Sequence, residues 1–289
     1  MNTSHTRTVP IATAPNLRDL GGLPSTAGEV RRGRVYRSAA LSSLTDADEQ
    51  RFAALGIRTV YDLRTAEEAT ASRDRLPEGV DTVTLDVLAD SSTSVAASLG
   101  QLAADPQAFA ASLAGGRAQQ LFEETYRDFV RLPSALRAYR AFYASLLDED
   151  RHGGALFHCT TGKDRTGWAA ATLLTLLGVS EDDVYDDYLQ TNTDLLPALE
   201  PVLQRAETQG VDRDVLLPVL GVRESYLAAA FTQMREQFGS IQGYAREGLG
   251  LSTRDERRLR ETFLSEPEGA IFRRADSDST DATISAGIA

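Results

Sequence analysis

The sequence predicts an α/β fold: a mostly parallel central sheet flanked by helices, interrupted by a helical insertion and followed by a helical C-terminal part. Short apolar segments alternate with helical ones between residues 35 and 178, the pattern of a parallel sheet covered by helices. Helix-start signals recur, with Thr45 before Asp48, Thr65 before Glu68 and Ser252 before Asp255. Around residues 155–178 a strand, a tight polar loop and a helix follow one another directly. Ligands of such sheets bind at the carboxyl ends of the strands, so residues there are the first candidates for function.

The elements follow in order. Met1–Pro10 is polar and lacks an apolar signal core. Residues 16–22 form a polar loop closed by Gly21-Gly22, and Val35-Tyr36 is a brief strand ending at Arg37-Ser38. Thr45 opens a helix that runs to about Leu55 and stops at Gly56. Ile57–Leu63 is a β-rich segment ending at Arg64, and Thr65 opens the next helix. Thr82–Val87 alternates apolar and polar residues as a strand does, with Asp86 near its end. Arg37, Arg64, Asp86 and Cys159 therefore fall near strand ends and can share one rim.

Residues 89–118 change character to small, Ala-rich sequence with two helical patterns, at 95–103 and 106–113. Few large side chains are available to anchor it, so weak packing is expected. Leu121–Val130 and Ser134–Leu147 are amphipathic and lead into the buried strand Ala155–Phe157. Beyond the loop, Trp168–Leu177 is an apolar helix stopped by Gly178. Ser180 caps a helix whose acids Glu181, Asp182, Asp183, Asp186 and Asp187 read as a solvated face, not a metal site. More helices are expected near 194–208, 223–238 and 253–264, with Tyr226, Leu227 and Phe231 as core. The polar tail 266–289 is expected to be disordered, leaving residues 1–265 as one domain.

The chemistry concentrates in His158-Cys159-Thr160-Thr161-Gly162-Lys163-Asp164-Arg165-Thr166-Gly167, which holds the only cysteine and the only lysine of the chain. A strand, a polar loop and a helix start suit a tetrahedral dianion, because loop N–H groups and the helix dipole converge on it. Thr160 through Arg165 are the candidate phosphate-binding residues. Gly162 permits a positive φ or a close approach. Lys163 adds a compact charge, and Arg165, six residues after Cys159, offers a planar fork to two oxygens. The same field favours the thiolate of Cys159, a nucleophile aimed at phosphorus. His158 is expected to orient the loop by hydrogen bonding. The bland alternative, a buried apolar cysteine, explains neither the arginine nor the loop around it. A nucleotide-binding G-x-x-x-x-G-K-[ST] loop is excluded by Phe157 and Asp164. Zinc held by His152, His158 and Cys159 lacks a further ligand, and no metal or cofactor is expected.

The run H-C-x-x-G-K-D-R-T-G resembles the loop of the atypical bacterial tyrosine phosphatases whose pathogen members act on both phosphoproteins and phosphoinositides. Asn16–Gly22, Tyr36-Arg37-Ser38, Asp62-Leu63-Arg64, Asp187–Asn192 and Gly239–Tyr244 fit the same family in order. The resemblance implies a cysteine phosphatase-like fold in which residues 89–118 form an inserted helical lid over the thiolate. It implies a phosphorylated protein or phosphoinositide as substrate, and Asp164 as the acid that protonates the leaving oxygen, with Asp86 as the alternative. No Trp-Pro-Asp acid loop is present. A phosphate-binding module without turnover is the alternative from another class, and it would need no nucleophile.

Composition bounds the rest. The formal net charge of −12 argues against nucleic acid and against stable docking on anionic membranes. No run of about 18 apolar residues suggests a membrane span. A single cysteine forms no internal disulfide, and a cytoplasmic setting is expected.

Overall fold

A computed structural model of the chain describes residues 7–91 and 104–265. Its main sheet has the spatial order β1 (Arg18–Asp19), β4 (Val35–Ser38), β7 (Gly154–His158), β5 (Ile57–Asp62) and β6 (Asp81–Thr84). The last four run parallel, and β1 adds an antiparallel edge to β4. The mostly parallel sheet expected from the sequence is therefore present.

Period-two alternation places each central side chain. Val35, Tyr61, Ala155 and Phe157 face a large cluster shared with the C-terminal helices. Tyr36, Val60 and Leu156 face a smaller one with Leu17, Leu41 and Phe52. A strand covered on both faces must be apolar on both, which is why Ala155-Leu156-Phe157 carries no polar residue. The register pairs His158 with both Ser38 and Asp62, so three strands end level. That level edge is the rim anticipated from the sequence.

On the smaller cluster's side lies helix α1 (Asp46–Ala53), with Thr45 accepting from the Asp48 N–H. The Asp48 carboxylate does not complete the expected box, because it accepts from Thr13 instead. Helix α2 (Ala66–Ala71) does begin with a full capping box between Thr65 and Glu68. Strand β6 ends earlier than the expected Val87. Its last ladder bond is Leu85 N–H to the Asp62 carbonyl, after which Asp86 accepts from Leu88 N–H and turns the chain.

Helices α3 (Pro106–Leu113), α4 (Arg117–Arg131) and α5 (Pro133–Leu146) precede β7, and α6 (Arg165–Leu176) follows its loop. Within the insertion, Phe109 and Leu113 are buried in the large core, so its described part is anchored, contrary to expectation. The pattern at 95–103 and the tail 266–289 lie outside the described residues.

Downstream come α7 (Glu181–Thr208), α8 (Arg213–Leu220), α9 (Glu224–Phe238) and α10 (Thr253–Phe263). The sequence suggested two helices across 181–208, yet α7 is continuous through Pro197 and Pro201. Each proline removes one ladder hydrogen bond and bends a helix without having to end it. Helix α8 was not anticipated. Neither was a second sheet, in which β2 (Pro24–Ser25), β3 (Gly28–Val30) and β8 (Leu264–Ser265) join the two ends of the described chain. Residues 213–238 are by length and composition apolar enough to cross a membrane. They form two helices packed through Leu216, Leu220, Tyr226, Leu227 and Phe231 into the core.

Candidate active site

The loop from Cys159 to Asp164 leaves β7 at the level rim and enters α6 at Arg165, so its shape is set by a buried strand at one end and a buried helix at the other. Gly162 makes the turn with φ +68°, and a Cβ there would stand 2.1 Å from the Ser38 carbonyl oxygen. No other residue fits. The loop's outer carbonyls are tied from behind. Asn16 Nδ2 donates to the oxygens of Thr161 (3.2 Å) and Gly162 (2.9 Å), and Arg37 Nη2 donates to Gly162 at 2.9 Å. Asn16 reaches them from a left-handed backbone conformation with φ 61°, which asparagine tolerates better than most residues. Among the described residues, the main-chain N–H groups from Thr161 to Arg165 have no protein acceptor. A loop whose carbonyls are held outward and whose N–H groups are unpaired at a helix start is an anion cradle.

Behind the cradle stands one carboxylate. Asp187 accepts from Arg7, Arg18 and Arg37, at 2.6, 3.1 and 2.8 Å. Arg18 in turn donates to the side chain and carbonyl of Asn16. Burial alone would raise the pKa of Asp187, but the three guanidinium groups hold it far below the usual carboxylate range. The expectation that the acids of α7 form a solvated face fails here: Asp187 is 1% exposed. Arg37 thus supports the loop by holding its backbone, while its charge is matched by Asp187.

The side chain of Arg165 is fully buried and bidentate to Glu68, with Nη1–Oε2 at 2.6 Å and Nη2–Oε1 at 2.9 Å. Glu68 also accepts from the Thr160 hydroxyl at 2.7 Å. Burial acts to raise the pKa of Glu68, and the hydrogen bonds and charge of Arg165 overcome it and hold it at about 2. The sequence showed Glu68 only as a helix-capping residue; its second role has no local signal. His158 contacts the Cys159 carbonyl through Nδ1 at 3.1 Å. Its Nε2 lies 3.0 Å from Asp74 Oδ2, close enough for an ion pair but off the line of a hydrogen bond. Arg64 lines a cavity together with Glu68 and Thr160 and pairs with Asp62 and Asp74, each at 2.7 Å. The cluster of Asp62, Asp74 and His158 has the donor set for a cation, and the Arg64 guanidinium already occupies that role.

Lys163 and Asp164 form a buried pair on the helix side, Nζ to Oδ1 at 2.8 Å, with Nζ also 4.1 Å from the centre of the Phe122 ring. Neither is a solvated surface residue. Asp86 accepts from the Ala66 and Leu88 N–H groups, capping α2 and its own turn. No hydrogen bond joins it to the loop among the described residues.

A model of the tyrosine phosphatase family matches residues 9–265, nearly the whole described chain. The chain belongs to the tyrosine phosphatase family. Relatives agree across most of its length. A Cupriavidus necator protein provisionally named a tyrosine-protein phosphatase is 36% identical over 82% of each chain. The triple specificity protein phosphatase PtpB of Mycobacterium tuberculosis is 33% identical over 86% of this chain and 96% of its own. A tyrosine-protein phosphatase of Nostoc commune is 29% identical over 78% of this chain. The protein is therefore a phosphatase, an enzyme acting on a phosphorylated substrate.

Proposed function

We propose that this phosphatase hydrolyses phosphotyrosine in proteins through a cysteinyl-phosphate intermediate, with Cys159 as nucleophile. The observation that carries the reading is the cradle: its only cysteine opens it, Arg165 closes it, and Asn16 and Arg37 hold its carbonyls outward. In the first step Cys159 Sγ bonds to phosphorus while the bond to the tyrosyl oxygen breaks. The loop N–H groups and Arg165 stabilise charge on the equatorial oxygens. Asp164 gives its proton to the leaving oxygen; as a carboxylate it then takes one from the water that attacks phosphorus, the S–P bond breaks, and phosphate and the Cys159 thiolate are released. Thr160, Thr161, Gly162 and Lys163 shape the cradle around these groups.

Phosphoserine and phosphothreonine belong to the same proposal, supported by the triple specificity named for the Mycobacterium relative. Phosphoinositides are the second reading. Lys163, the residue that would favour a highly charged head group, is folded onto Asp164 and Phe122, which weighs towards the protein substrate. The test is hydrolysis of a phosphotyrosine peptide beside a phosphoinositide panel, with wild type and Cys159→Ser. Activity on the peptide that vanishes in the variant is expected. Turnover retained by Cys159→Ser would overturn the nucleophile, and a preference for the lipids would overturn the substrate.

A further inference from the structure

Asp164 occupies the N-cap position of α6, where an aspartate ordinarily accepts from the first free N–H groups of the helix. Here its side chain makes no capping hydrogen bond. It is turned instead into a buried aromatic pocket, where Oδ1 accepts from Tyr126 Oη at 3.1 Å and from Lys163 Nζ at 2.8 Å. Tyr126 in turn accepts from Tyr188 Oη at 2.6 Å. The three groups form a directed chain, Tyr188 to Tyr126 to Asp164, assembled from α7, α4 and α6. Phe122 and Tyr126 stand one turn apart on α4, and they meet Lys163 and Asp164 respectively. Gly167 leaves the space for this arrangement, since a Cβ there would be 3.0 Å from the Tyr188 ring.

We propose that Tyr126 is a positioning residue for proton transfer: by donating to Oδ1 it fixes the rotamer of Asp164 and leaves Oδ2 as the oxygen that carries the proton to the leaving group. This rests on the reading of Asp164 as the acid. Two features support it independently of that reading. Oδ2 has no hydrogen-bond partner among the described residues, whereas Oδ1 has two. Burial, followed by the neighbouring Tyr188 and Asp164, pushes the Tyr126 hydroxyl well above its ordinary pKa, so it remains a donor throughout the working pH range. In the step itself, the bond from Cys159 Sγ to phosphorus forms as the P–O bond breaks, the leaving oxygen takes the proton from Oδ2, and Asp164 is left as a carboxylate held by Tyr126 and Lys163.

The test compares kcat/KM for a series of aryl phosphates running from para-nitrophenyl phosphate, whose leaving group needs little help, to phenyl phosphate, which needs it most. Asp164→Asn, Tyr126→Phe, Tyr188→Phe and the double variant Asp164→Asn/Tyr126→Phe are measured beside wild type. Asp164→Asn is expected to steepen the dependence on leaving group, with loss on phenyl phosphate on the order of 10²-fold or more. Tyr126→Phe is expected to steepen it in the same sense by about fivefold to tenfold, the size of one hydrogen bond, with no further effect in the double variant. Tyr188→Phe should show a smaller effect in the same direction, and it serves where Tyr126→Phe folds poorly. Equal losses across the series in both tyrosine variants would reduce these residues to packing and overturn the proposal while leaving the acid intact. A normal leaving-group dependence in Asp164→Asn would instead remove the acid, and the positioning role with it.

Discussion

Because Glu68 both closes the capping box of α2 and holds the two Nη atoms of Arg165, the geometry of the anion-binding arginine depends on the start of a six-residue helix. Glu68→Gln keeps the size and loses the charge. It should lower kcat/KM on the order of 10²-fold through misplacement of Arg165, read against phosphotyrosine peptide. The stability consequence has a definite sign. The Glu68 pKa is about 2 in the folded protein, below the ordinary 4.5. The unfolded chain therefore binds this proton more readily, and the contribution of Glu68 is complete above 4.5 and disappears as pH falls towards 2. Thermal melts should show wild type well above Glu68→Gln at about pH 6, with the gap narrowing by about pH 3. A gap that widens on acidification would contradict the pairing. Gly162 is the other single-residue test. Gly162→Ala adds a Cβ at positive φ against the Ser38 carbonyl. It should cost about 1–3 kcal/mol or more and weaken phosphate binding measured by calorimetry.

At the scale of elements, α7 acts as a strut for a loop it follows by some twenty residues. Val184, Asp187, Tyr188, Thr191 and Leu195 fall on its buried face at helical spacing, so Asp187 is carried inward while Glu181 and Asp182 stay in solvent. Asp187→Asn leaves Arg7 and Arg37 without their carboxylate, and Arg18 with Asp194 alone. A buried charge deprived of its partner costs about 3–5 kcal/mol, which chemical denaturation would measure, and phosphate affinity should fall as Arg37 loses its hold on Gly162. Unchanged affinity in a destabilised variant would make α7 a support of the fold alone. The strand–loop–helix unit was legible because every residue that defines it is local: an apolar strand, a glycine turn, an arginine at the helix start. Its partners were not. Glu68 meets Arg165 across 97 residues and Asp187 meets Arg37 across 150, and each has a sufficient local explanation as a cap or as part of an acidic face. For Asp86 a register argument pointed to the rim, and its carboxylate accepts there from the N–H at the start of α2 and from that of Leu88.

For the molecule as a whole, the formal charge of −12 is at odds with an anionic substrate. Around the loop the cations are paired: Arg7, Arg18 and Arg37 with Asp187 and Asp194, Arg64 with Asp62 and Asp74, Lys163 with Asp164, and Arg165 with Glu68. Attraction therefore acts at contact distance, through the loop N–H groups and Arg165, while the long-range field repels. Salt separates the two, because exposed charges are screened beyond a Debye length of about 10 Å at 0.1 M, and buried contacts are screened much less. Raising ionic strength from about 0.01 M to about 0.15 M should therefore increase kcat/KM for a phosphotyrosine peptide with acidic flanks. A peptide with neutral flanks should respond less, and kcat should stay level for both, since the step within the cradle is out of reach of the salt. If kcat/KM fell with salt instead, a cationic approach path would have to outweigh the acidic surface, and the capture of substrate would begin well outside the loop.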